Sequence, residues 1–331
     1  MKKFILNNPL LMYIFQKLFP VSGAILMFHR VRELKKRAIC YNDHLSVSPD
    51  FFDTLLMSAK KAGYSFVSLD ELVELIEKKK RFSKVLALTF DDGYKDNLVN
   101  ALPVMEQYNA PGTIFCATGL MTGEVPLWWD LLEEYILSDD TVKTVRRIPQ
   151  TARTTGEKEQ LFLSIRQELL LLTAEEQENY FFHSGYLPET LKDRFKEEMI
   201  SKEMLATYRE SKLVSFGSHT HSHLSCGALE RENFAAELTH SLKILRSCGV
   251  DIKHFAYPYG DDVKDPEKFR EIFQENGIKS CCTTLQGFVS SGTDPLFLPR
   301  FFVSEYDNFT VKKNLFQAQL MHLKKKVSSG I

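Results

Sequence analysis

Eight short apolar runs, separated by amphipathic helical patterns, restrict the fold of this chain more than any other feature. They occupy residues 23–29, 66–67, 84–90, 112–117, 213–218, 254–257, 279–284 and 296–303. Most are continuously apolar rather than alternating, which marks strands covered on both faces, as in parallel sheets. Strands that alternate with helices predict a parallel α/β fold. Seven or eight such units predict a TIM-like (β/α) barrel, with an open doubly wound sheet as the fallback. In such a barrel, functional side chains gather at the C-terminal ends of the strands.

Helix signals between the runs agree with this alternation. Ser48-Pro49 reads as an N-cap followed by proline at the first helical position, and Phe52, Leu55, Leu56 and Ala59 form the buried stripe. Gly63 is placed to stop that helix. Ser68 and Glu71 make a capping box for the next, which carries Leu72, Val73 and Ile76. From Leu127 the rhythm breaks. Trp128 and Trp129 open a helix, and residues from about 138 to 212 are charged and largely helical, without a core strand. The expected organisation is an N-terminal helical segment (1–22), a barrel (23–310) with an insertion at about 138–212, and a C-terminal helix with a basic tail (311–331).

The first 22 residues begin Met1-Lys2-Lys3 and contain the apolar run 9–15, in the manner of a signal peptide. Asn7-Asn8 and Gln16-Lys17 interrupt it, and no run approaches the ~18 apolar residues of a membrane span. A helix that packs on the domain or makes peripheral membrane contact is the expectation, in the cytoplasm, with export left open. A formal net charge of -1 gives no general attraction to nucleic acid. Six scattered cysteines without a C-x-x-C spacing read as free thiols in a reducing compartment. Adjacent Cys281 and Cys282 would point to opposite faces of a strand. Neither G-x-G-x-x-G nor a Walker A loop is present, so nucleotide binding has no support.

Two polar clusters carry chemistry, and each directly follows a core strand. The first is Asp91-Asp92-Gly93, after Lys84–Phe90. Two adjacent carboxylates require a cation or a shared proton to coexist. The second is Ser218-His219-Thr220-His221-Ser222-His223, in which His219 and His223 stand four residues apart. Two imidazoles and one carboxylate form a three-ligand site with open positions, suited to a catalytic divalent metal. With Asp92, His219 and His223 as ligands, Asp91 is left free as the general base. The chemistry implied is metal-assisted hydrolysis of an acyl bond.

Thr89-Phe90-Asp91-Asp92-Gly93, His219-Thr220-x-x-His223 and Tyr257-Pro258-Tyr259-Gly260 resemble, in order, the first three motifs of the polysaccharide deacetylase (NodB-homology) family. The resemblance runs from about Gly23 to Val303, apart from the insertion. It implies an irregular (β/α) barrel and zinc, or a similar ion, serving removal of acetyl groups from a carbohydrate. It further implies Asp91 as base, Asp92, His219 and His223 as metal ligands, and the backbone N–H of Tyr259 as an oxyanion donor. The relatives suggest a bacterial cell-surface glycan as the setting.

Departures from the pattern sharpen the expectations. Ala256 stands where many members have an arginine that orients the base, and Arg300 is the candidate to supply that guanidinium. The Asp-Trp motif is not visible. Leu320-Met321-His322 matches the late Leu-x-His motif only as text, within a basic tail. His29, after the first strand in Phe28-His29-Arg30-Val31, is the preferred acid or substrate contact. Trp128, Trp129 and Tyr257 are the substrate-binding candidates, the two tryptophans as a sugar-stacking platform or as the anchor of their helix. His44, His183, His240 and His254 read as structural or surface residues. The alternatives are an O-acetyl ester hydrolase and a non-catalytic carbohydrate-binding protein on the same barrel.

Overall fold

The structure is a computed structural model that describes residues 23–34, 41–186, 194–260, 266–307 and 309–315. Eight parallel strands form one sheet: β1 (Gly23–Phe28), β2 (Ser65–Phe66), β3 (Val85–Phe90), β4 (Gly112–Cys116), β5 (Val214–Ser218), β6 (His254–Ala256), β7 (Ser280–Cys282) and β8 (Phe301–Phe302). Their order is β7-β6-β5-β4-β3-β1-β8, with β2 paired to β3. The sheet curls until its ends meet, where Cys282 bridges Leu298 just before β8. The Leu298 N–H donates to the Cys281 carbonyl at 2.8 Å, and the Thr283 N–H to that of Leu298 at 2.9 Å. The result is an irregular barrel whose strands all point the same way, so every strand's C-terminal end opens on one face.

Side-chain alternation splits the core in two. Outward-facing Leu26, Phe28, Leu88, Phe90, Ile114, Phe216 and Phe255 pack under the helices, while Ile25, Ala87, Phe115, Ala256, Cys282 and Leu298 belong to a second, inner cluster. Cys281 and Cys282 fall in different clusters, on opposite faces as expected. The described cysteines are free thiols.

The helices are α1 (Pro49–Lys61), α2 (Leu69–Glu77), α3 (Leu102–Tyr108), α4 (Thr118–Thr122), α5 (Trp128–Ser138), α6 (Thr155–Leu169), α7 (Ala174–His183), α8 (Lys202–Tyr208), α9 (Arg231–Ser247) and α10 (Arg270–Glu275). Ser48 caps α1 by accepting from the Phe51 N–H, and the Ser68/Glu71 capping box of α2 is complete. Between α5 and β5 the chain is helical, as expected, but it also folds an antiparallel hairpin, Thr141–Lys143 with Pro149–Thr151, outside the barrel. Its residues are mostly exposed, so no apolar run announced it. The expected strand over 296–303 is shorter. Pro295–Phe297 forms a 3-10 turn, and Pro299 lacks the N–H a ladder needs, leaving only Phe301–Phe302 paired with β1. Among the described residues, no helix is long and apolar enough to cross a membrane. Segment 1–22, Leu320-Met321-His322 and the basic tail lie outside the described residues, and of the C-terminal helix only the single turn Val311–Leu315 is described.

Candidate active site

Strand ends deliver both polar clusters. The Asp91 N–H still donates to the Phe28 carbonyl at 2.9 Å, which continues β3 by one residue. Asp92 then turns at φ +72° and Gly93 at φ +84°. Among the described residues, eight other than glycine have positive φ, and four of them are Asp92, Thr220, His223 and Tyr259. Left-handed backbone is unfavourable for side-chain-bearing residues and persists where surrounding structure imposes it, commonly at functional sites.

Beyond β5, the His219 N–H donates to the Cys116 carbonyl at 3.0 Å and the His223 N–H to Thr220 Oγ1 at 3.0 Å. Glu237 of α9 accepts from the N–H groups of His221 (3.0 Å) and Ser222 (2.7 Å), clamping the loop. This turn carries His219 Nε2 and His223 Nε2 to 3.5 and 3.1 Å from Asp92 Oδ1. His219 Nδ1 lies 2.7 Å from the Ala256 carbonyl, which can only accept. Nδ1 therefore holds the proton, and the Nε2 lone pair faces Asp92. Asp92 Oδ1 is buried without a hydrogen bond. The ligand atoms of the three residues all lie within 4.8 Å of one another. Two imidazole nitrogens and an orphaned carboxylate oxygen, buried together, are a donor set that fits a divalent cation.

Asp91 stands beside this set and is answered by Arg300. The guanidinium donates from Nη1 to Asp91 Oδ1 at 2.6 Å and from Nη2 to Oδ2 at 2.7 Å. It also donates to Thr89 Oγ1 (3.2 Å) and to the Thr283 carbonyl (2.8 Å), and it is 0% exposed. Arg300 is thus neither at the surface nor at a strand's C-terminal end. It precedes β8 and is buried inside the barrel, where it reaches Asp91 beside the Phe115 ring. Burial pushes the Asp91 carboxyl up, but the Arg300 charge, then His219 and the Arg300 hydrogen bonds, bring it below its ordinary value. His29 is shifted down, because burial outweighs the attraction of Asp92 and Asp91.

A cavity of about 170 Å³ opens over these groups, lined by His29, Asp91, Asp92, His219, His223 and Tyr259, and by both tryptophans. Trp128 and Trp129 are almost fully buried. Trp129 donates from Nε1 to the Tyr94 hydroxyl at 3.0 Å, and its ring lies 5.0 Å from that of His223. Both therefore anchor α5 to the barrel while showing an edge of wall to the cavity. Tyr259 (φ +60°) has its carbonyl held by Thr284 Oγ1 at 3.0 Å. The next residue must be glycine, since a Cβ at Gly260 would stand 2.6 Å from the Thr284 nitrogen.

Tyr257 does not belong to the site. Its side chain is fully buried against Phe255 and Phe273, with its hydroxyl donating to the Leu296 carbonyl, because strand alternation turns it outward under the helices. The reverse holds for His44, expected as a structural or surface residue, which lines the cavity. Asn42, Arg166 and Thr284 also line it and were not anticipated. Asn42 and His44 sit in the polar loop after β1, and Arg166 in the insertion, where spacing alone says nothing of distance to the barrel. Arg30 is structural. It is buried over the Tyr94 ring and paired with Asp96 at 2.9 Å, which fixes the chain next to His29. A second group, Glu124, His221 and His240, also brings ligand atoms within 4.8 Å. There the imidazoles stack in parallel, 4.0 Å apart at 7°, so no ion can lie in the plane of both rings.

Comparison with known proteins points one way. The polysaccharide deacetylase family model matches residues 78–150 and 166–281. YxkH of Bacillus subtilis (strain 168), whose name places it among the polysaccharide deacetylases, is 32% identical over 97 residues. That match spans 29% of this chain and 32% of the relative. Among solved structures, the Streptococcus pyogenes deacetylase PplD in complex with acetate superposes with a TM-score of 0.54 at 21% identity, over 91% of this chain and 99% of that one. IcaB from Ammonifex degensii gives 0.57 at 18% identity, over 90% and 97%. Likeness at this identity speaks to the fold, the same irregular barrel.

Proposed function

Because the chain belongs to the polysaccharide deacetylase family, and so is a carbohydrate deacetylase, we propose that this cavity hydrolyses the N-acetyl group of an amino sugar in a polysaccharide or lipid-linked glycan. Asp92, His219 and His223 would hold the divalent ion, zinc being the best match to two imidazoles and a carboxylate. Such an ion, when bound, polarises the acetyl carbonyl and makes a water more acidic. Asp91 accepts the proton of the attacking water, and the Arg300 fork keeps its carboxylate in one plane and orientation. The Tyr259 N–H donates to the oxygen on which negative charge develops. His29, neutral at pH 7 by virtue of its lowered pKa, relays the proton toward the departing amine. Trp128 and Trp129 wall the sugar site.

The observation that carries this reading is the convergence of Asp92 with His219 and His223, with Asp91 locked beside them by Arg300. Ala256 and the missing late motifs are the grounds for a non-catalytic, carbohydrate-binding alternative. Arg300, meeting Asp91 from the segment just before β8, supplies the guanidinium that Ala256 lacks and so favours the catalytic reading. The test is acetate release from N-acetylated sugar oligomers. It should require added divalent metal and fall by at least ~100-fold in Asp91→Asn, while metal affinity survives. Full turnover in that variant would exclude Asp91 as the base, and metal binding without acetate release on any acetylated glycan would overturn the hydrolase reading.

A further inference from the structure

Among the described residues, one cation lining the cavity has no acid to answer it. Arg166 lies on α6, whose buried residues Phe162, Ile165 and Leu169 form the stripe packed against the rest of the molecule. At 3.6 residues per turn, position 166 falls on that same inward face rather than on the solvent side. Its side chain lines the cavity together with Trp128 and Tyr259, and it makes no ion pair or side-chain hydrogen bond among the described residues. The cavity's two carboxylates are committed, Asp91 to Arg300 and Asp92 to the proposed ion. Those behind the wall are engaged as well. Asp130 meets Asn42 and Arg30, and Glu133 accepts from the Asn42 N–H. Among the described residues no carboxylate pairs with Arg166, so its charge sets a positive field at that wall of the cavity. A half-buried guanidinium in that field favours an anion, and its planar fork matches a carboxylate or a phosphate.

We propose that Arg166 selects acetylated sugars bearing an anionic substituent, carboxylate or phosphate, and grips that substituent while the acetyl group lies over Asp92, His219 and His223. This rests on the deacetylase reading above and names the class of substrate. It also gives the insertion a task, since α6 brings to the barrel a charge that no barrel strand supplies.

The experiment compares three substrates in the metal-loaded enzyme: a neutral N-acetylglucosamine oligomer, the same oligomer with a terminal phosphate monoester, and an N-acetylated oligomer containing a uronate. One anionic arm should exceed the neutral arm in kcat/KM by about ten-fold or more, chiefly through KM, as one charge-assisted hydrogen bond supplies. Which arm it is identifies the anion. The ratio should fall toward one in Arg166→Ala, fall below one in Arg166→Glu, and shrink with added salt in the wild type. Equal kcat/KM on all three substrates, or a preference that persists in Arg166→Ala, overturns the proposal and leaves the deacetylase reading standing. No acetate from any arm overturns both.

Discussion

Arg300 uses its guanidinium on Asp91, Thr89 and the Thr283 carbonyl, all within the barrel. Removing one member of a buried ion pair strands the other, at a cost of about 3–5 kcal/mol. Arg300→Met should therefore unfold at lower urea at pH 7 and lose most acetate release, whereas Arg300→Lys should retain charge but not the two-oxygen grip. The sign of the pH effect follows from the lowered Asp91 pKa. The pair's stabilisation is fully present above the ordinary carboxylate range and is lost as pH falls through the lower folded value. The deficit of Arg300→Met measured by urea titration should accordingly shrink in acid. Asp91, Asp92, His219 and His223 were legible because each cluster is contiguous in sequence. Arg300 was visible only as a candidate, because its contact with Asp91 spans 209 positions. Arg166 went unseen although it interrupts an apolar stripe, since a stripe reveals which way a residue faces and not what it faces.

Among the elements, α9 grips the loop between two of the proposed metal ligands without supplying one itself. Glu237 binds two consecutive N–H groups of the loop between His219 and His223, and Ser241, one turn on, lies 2.9 Å from Ser218 at the end of β5. Groups that orient ligands typically change metal affinity by 10–100-fold when removed. Glu237→Ala should weaken zinc binding by about that factor in a chelator competition, with the circular dichroism spectrum unchanged. Loss of helix in the variant, or undiminished affinity, would show that the clamp does not position the loop. Helix starts such as Ser48-Pro49 and Ser68 with Glu71 were readable because caps are local. The extent of β8 was not, because strand pairing near Pro299 depends on a neighbour almost three hundred residues earlier, at Leu26 and Met27.

Across the whole molecule, the inner cluster of the barrel sets Phe115 directly against the backbone of Gly217. A Cβ on Gly217 would stand 2.4 Å from Phe115 Cδ1 and 2.8 Å from the His254 carbonyl oxygen. Ring and backbone cannot both withdraw, so Gly217→Ala should lower stability by at least ~1–3 kcal/mol in urea denaturation, the usual cost of overpacking. A variant as stable as the wild type would mean that β5 and β6 can part without penalty. The parallel barrel itself was legible from continuous apolar runs alternating with helices. The small hairpin of the insertion was not, since its short strands carry almost no buried side chain.

The join between β7 and β8 has a consequence during synthesis. Asp92, His219 and His223 are all synthesised by residue 223, whereas the counter-charge for Asp91 comes only with residue 300. A chain that stops short of residue 300 would carry all three proposed metal ligands, yet Asp91 would lack the guanidinium that does most to hold it ionised. Metal capture would thus precede competence, and hydrolysis would switch on only when the final turn of the sheet is laid in place.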